Sequence, residues 1–179
     1  MTHPRHRGFS LLEVLVTVVV LSLGMLGVAA VLITVHKANA SSYLRQQAVQ
    51  ETYDILDRMR ANRSAALQGN YDTSLGTAAG TAAVNCTSGS CSPSQLASYD
   101  QWQWLTDLAT TLPSGTGSVG LGTVAVPGGT CGSLSYSSPL TTPAAPVCAV
   151  VTVQWSDTPA QQTLKQAAAP VTYSLQTVL

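Results

Sequence analysis

The stretch VLVTVVVLSLGMLGVAAVLITV, residues 14–35, runs for 22 residues without a charge. As a helix it would extend ~33 Å, enough to cross a hydrocarbon core of about 30 Å. Leu, Val and Ile dominate it, and Gly24, Gly27 and Ala29 are small residues of the kind found where membrane helices pack. Arg5 and Arg7 precede the run, which by the positive-inside rule puts the N-terminus in the cytoplasm and the bulk of the chain outside. A cleaved secretory signal is the competing reading, with Ala38-Asn39-Ala40 as its cleavage site. The run exceeds the usual apolar region of about 7–15 residues in such signals, and Lys37 lies just before that site. Both features favour a retained helix.

The rest of the composition excludes several function classes. The chain has 179 residues with 8 basic and 8 acidic side chains, so its formal net charge is zero. Charged residues are 9% of the total, against roughly 25% in an ordinary soluble protein. A neutral chain this poor in Lys and Arg is not expected to bind nucleic acid through its phosphates, nor is it a charge-rich disordered protein. The three histidines, His3, His6 and His36, all precede residue 37. Everything beyond lacks a histidine base, a histidine metal ligand and a Ser-His-Asp triad. We expect a non-enzymatic protein that needs no cofactor and no metal.

The few charges are segregated. Residues 1–63 hold seven basic and four acidic side chains, a net of +3, whereas residues 64–179 hold Lys165 against Asp72, Asp100, Asp107 and Asp157, a net of −3. That shift marks a boundary near residue 64. Before it, Leu44, Ala48, Thr52, Ile55 and Met59 recur at spacings of three and four, with Leu56 beside them. Asp54 and Arg58 stand four apart with the acid first, the favourable order. Arg58, Arg60 and Arg63 lie where cations stabilise a helix C-terminus. No proline occurs between Pro4 and Pro93. One helix over residues 10–62 is the natural reading, apolar all round in its first half and amphipathic in its second.

Glu13 is out of place at the head of the apolar run, because a carboxylate near hydrocarbon costs several kcal/mol unless it is interfacial or paired. Its setting, Arg7-Gly8-Phe9-Ser10-Leu11-Leu12-Glu13-Val14-Leu15, resembles the class III signal of type IV prepilins and type II secretion pseudopilins. The resemblance implies that a prepilin peptidase cuts between Gly8 and Phe9 and N-methylates Phe9. It also implies that Glu13 pairs with the N-terminal ammonium of a neighbouring subunit during assembly, an attraction strengthened in a low-dielectric helix bundle.

A second stretch, Leu56-Asp57-Arg58-Met59-Arg60-Ala61-Asn62-Arg63, resembles the helix end of the type IV pilus modification protein, the PilV-type minor pilin, as does residues 21–27, LSLGMLG. Major pilins usually kink this helix at a proline within the apolar run, and none is present here, which argues for a minor subunit. The resemblance implies a minor pilin that waits in the bacterial inner membrane in contact with lipid and then joins the pilus or its tip. Its implied partners are other minor pilins, the major pilin and the inner-membrane assembly platform. A minor pseudopilin of type II secretion is a close variant. A membrane-anchored periplasmic binding module with no polymer is the alternative from a different class. The expected division is a leader at 1–8, a transmembrane and assembly half-helix at 9–35, an amphipathic half-helix at 36–63, and a periplasmic or extracellular head at 64–179.

Within the head, residues 64–92 read as a polar connection. Ser92-Pro93-Ser94-Gln95 reads as a helix start with a capping box, opening a helix over residues 93–112. Leu96, Leu105, Leu108 and Leu112 supply its apolar face, and Trp102 and Trp104 point about 200° apart, one inward and one outward. Residues 119–126, broken by Gly120 and Gly122, suggest an edge or bulged strand; 149–155 is the strongest strand, 171–178 alternates well, and 133–140 is weaker. The expected class is α+β: a pilin-like fold with the long helix packed on a small antiparallel sheet and one extra helix. Of the four cysteines, Cys86, Cys91, Cys131 and Cys148, three pairings are open, and a four-thiolate zinc site is the rival. An oxidising compartment favours disulfides, and we expect the local pairs Cys86–Cys91 and Cys131–Cys148.

Overall fold

The computed structural model describes residues 10–82, 84–123, 147–158 and 169–179. It is dominated by α1, Leu11–Ala61, a single helix of 51 residues. Ser10 caps its first turn, its side chain accepting the Leu12 amide at 3.3 Å. Every residue from 11 to 36 is exposed. In the second half, Ala48, Thr52, Ile55, Leu56 and Met59 are buried and Leu44 packs partly against them, the stripe that the spacing of three and four predicts. The helix stops at Asn62, whose φ of −109° and ψ of 49° leave the helical region. Its carbonyl accepts the amides of Ala65 and Ala66, each at 3.1 Å, and so opens α2, Arg63–Leu67.

The polar connection expected over residues 64–92 needs correcting here. Ala65 and Ala66 of α2 and Tyr71 beyond it are fully buried. Thr73 also exchanges two backbone bonds with Val119, at 2.9 and 3.1 Å, and so lies beside the first strand. Small side chains hide this in the sequence, because two alanines and one tyrosine among polar residues carry no periodic signal.

Helix α3, Pro93–Thr111, begins with the capping box: Ser92 accepts the Gln95 amide and Gln95 accepts the Ser92 amide. It runs antiparallel to α1, since Trp104 Nε1 donates to the Glu51 carbonyl at 2.9 Å while Arg58, two turns further along α1, reaches Asp100. Leu105, Leu108 and Leu112 are buried as expected. Leu96 is not: it sits one turn from the N-terminus, past the edge of the core, and the buried position on that turn is Ala97. Trp104 points inward, and Trp102 stays half-exposed against Tyr99, ring centroids 5.5 Å apart.

Among the described residues the head holds three antiparallel strands in the order β1-β2-β3: Thr116–Thr123, Val147–Trp155 and Val171–Val178. The first begins three residues before the expected start and, among the described residues, forms an edge of the sheet; residues 124–126 of the expected range lie outside the described residues. Ala149, Val151, Val153 and Trp155 of β2 face the helices, with Val119 on one side and Tyr173 and Leu175 on the other. Gly117 is required by this packing, because a Cβ there would overlap the Trp104 ring and the Leu108 side chain. The opposite face carries hydroxyls and amides, including Thr152 against Ser174 at 2.9 Å. The expected strand at 133–140 lies outside the described residues. The fold is α+β and pilin-like, a long N-terminal helix with a small antiparallel sheet and extra helices.

Candidate assembly helix and its polar lock

Glu13 lies in the first turn of α1, on an exposed stretch of helix beneath the whole apolar run. Its position near the positive end of the helix dipole is favourable for a carboxylate. Gly8 and Phe9, the expected processing residues, lie outside the described residues. From Leu11 the helix passes through Gly24 and Gly27 without a break, and an 18-residue window in it has a mean hydropathy of 2.7 with none of it buried. A helix this long and apolar meets the length and composition needed to cross a bilayer.

The other end of α1 is fixed by polar contacts. Arg58 Nε donates to Asp54 at 2.7 Å, and its Nη1 reaches Gln103 at 3.0 Å and Asp100 at 3.4 Å on α3. Asp100 also accepts the Tyr71 hydroxyl at 2.5 Å. Asn62 Nδ2 donates to the Tyr71 oxygen at 3.2 Å and to the Pro93 carbonyl at 2.7 Å. Four segments meet here: the end of α1, the loop after α2, and the start and second turn of α3. Partial burial alone would lower the pKa of the Arg58 guanidinium; the bonds and charges of Asp54 and Asp100 more than offset it, and the pKa is raised. Burial, reinforced by the bond to Asp100, raises that of the Tyr71 hydroxyl. The Arg cluster is therefore divided in role. Arg58 is a structural bridge, whereas Arg60 makes an exposed pair with Asp57 at 2.8 Å and Arg63 donates to the Leu179 carbonyl at 3.1 Å. Sequence spacing identified Asp54 with Arg58 but gave no sign of Tyr71 or Asp100, which join only when α3 folds back.

Glu51 and Asp72 both have raised pKa values. For Glu51, burial leads, followed by the charges of Asp107 and Asp54. For Asp72 burial is the cause, countered in part by the Leu121 amide. Cys86 and Cys91 form a disulfide in the loop before α3. Cys148, at the head of β2, is also disulfide-bonded, and Cys131, its expected partner, lies outside the described residues.

Two family models match the chain. The prokaryotic N-terminal methylation motif matches residues 3–29, and the family described as type IV pilin Tt1218 matches residues 30–102. No curated protein and no solved structure matches it. The methylation motif covers Glu13 and most of the apolar run. The Tt1218 match takes in the amphipathic half of α1, Tyr71 and the first half of α3, and so contains every member of the polar lock except Gln103. The motif implies processing by a prepilin peptidase and assembly with other pilins. With the two matches meeting end to end on a long apolar helix that leads into a small α+β head, the chain is a type IV pilin-type protein.

Proposed function

We propose that the chain is a minor pilin of the PilV type, which primes or caps a type IV pilus together with other minor pilins. The observation that carries this reading is the methylation motif running directly into a 51-residue helix that contains no proline. In this proposal a prepilin peptidase cuts between Gly8 and Phe9 and methylates Phe9. The mature protein then waits in the inner membrane with its N-terminus at the cytoplasmic side and its head in the periplasm. Glu13 pairs there with the terminal ammonium of a neighbouring subunit, so that each charge compensates the other in the low-dielectric membrane. The head, stiffened against α1 by the Arg58–Asp100–Tyr71 contacts, moves as a unit with the helix when the subunit is drawn into the assembly.

Fractionation of cells carrying a tagged copy at native expression tests the role. The tag is expected in the membrane and, as a small fraction of total pilin, in sheared pili, with deletion of the gene reducing surface piliation. Unchanged piliation in the deletion, with the tag absent from sheared pili, contradicts a pilus role; a secretion defect in that strain would point to the type II system.

A further inference from the structure

The head reaches down α1 almost to the end of the apolar run. Ser41 donates its hydroxyl to the buried carboxylate of Asp157, just after β2. Ser41 is six residues beyond Val35, about 9 Å along the helix, while the headgroup layer on each side of a bilayer is about 5–7 Å thick. The same end of the head holds the last turn of α3 and the turn into β1, tied to the end of β2 where the Ser156 amide donates to the Pro113 carbonyl at 2.8 Å. Pro113 and Ser114 of that turn are exposed.

Two basic side chains flank Ser41 at this level, with the Asp157 carboxylate between them. Lys37 lies one turn below Ser41 on the same face of α1, and Arg45 one turn above it. Among the described residues no ion pair engages either. Asp157, the carboxylate nearest the membrane on the head, is turned inward to Ser41 and is 4% exposed. The next acids stand further off, Asp107 a turn above Thr111 and Glu51 about 15 Å above Ser41. We infer that the lower end of the head seats on an anionic phospholipid surface, with Lys37, and Arg45 behind it, holding headgroup phosphates beneath Ser41 and the Pro113 turn. This rests on the membrane-anchored reading of α1 and adds a second contact with the bilayer, which fixes the tilt of the head before assembly. Basic side chains next to anionic lipid gain roughly fivefold each in local binding, an effect confined to about a Debye length.

The test uses the full-length protein in vesicles of phosphatidylcholine alone or with about 25% phosphatidylglycerol, enough to make the surface anionic. A fluorescent amino acid replaces Thr111 at the lower end or, in a second sample, Ser88 at the far end, and a lipid with a spin-labelled headgroup is the quencher. Quenching at position 111 is expected in anionic vesicles, with little at 88, and is expected to fall about twofold or more in phosphatidylcholine alone and in the Lys37→Gln, Arg45→Gln double variant. Equal quenching at 111 in both lipids and in both proteins would overturn the seating. Flotation of the same samples keeps the two ideas apart, because protein that fails to float with the vesicles refutes the anchor and the seating together.

Discussion

Tyr71 donates its hydroxyl to Asp100 across 2.5 Å, joining the loop after α2 to the second turn of α3. Asp100 faces Arg58 on α1 from its other oxygen, so one buried carboxylate ties both helices and the loop together. Removing it leaves a buried hydroxyl and a guanidinium short of a partner, which costs more than the lost bond alone. Asp100→Ala is expected to destabilise the head by about 2–3 kcal/mol, and Asp57→Asn, at the exposed pair with Arg60, by no more than about 0.5 kcal/mol. Thermal unfolding of the two variants checks the contrast; equal losses would mean that Asp100 is no hub.

Gly117 gives a second probe of the core. The Trp104 ring that a Cβ would meet is held in place by its Nε1 bond to the Glu51 carbonyl, so it has no easy retreat. Gly117→Val is expected to cost about 1–3 kcal/mol through overpacking, despite the better strand propensity of valine. A variant as stable as the parent in denaturant titration would refute this packing.

Glu51 carries a pH signature. Its carboxyl is raised in the folded state by burial and then by Asp107 and Asp54, so its contribution to stability is greatest at low pH and is lost as pH rises through the folded value. Glu51→Gln removes the repelled charge and leaves the backbone carbonyl that Trp104 uses. The variant is expected to be more stable than the parent at pH 7, by about 0.5 kcal/mol after solvent screening, with the difference vanishing near pH 3. A gain that persists at pH 3 would point to a cause other than charge.

Much of this was legible in the sequence, and the reasons differ by element. The 22-residue uncharged run and the Leu44–Met59 stripe fixed α1 because helical periodicity survives over many turns. Ser92-Pro93-Ser94-Gln95 located the start of α3 because a capping box is a local contact, complete within four residues. The polar lock was only half visible. Asp54 and Arg58 are neighbours on one helix, but Tyr71 and Asp100 are 29 residues apart and meet through tertiary packing that no local pattern encodes. The early start of β1 was missed because Thr116, Gly117 and Ser118 lack the apolar alternation of a strand, being small where Trp104 presses on the sheet.

Glu13 separates assembly from simple anchoring. In a lone anchor Glu13→Val only makes the helix more apolar. In an assembling pilin it leaves a neighbour's ammonium uncompensated, at about 3–5 kcal/mol, a factor of more than about 100 in association. The variant is expected to be cleaved, inserted and folded yet depleted from complexes with other minor pilins. Normal co-purification at native expression would remove the role assigned to this carboxylate.

Mass spectrometry of the N-terminal peptide of the membrane-extracted protein tests the central claim most directly. A chain handled as a pilin begins at Phe9 carrying one N-methyl group, and Gly8→Leu blocks that cut. A mature protein that retains Met1, or that begins at Ser41, would contradict the account.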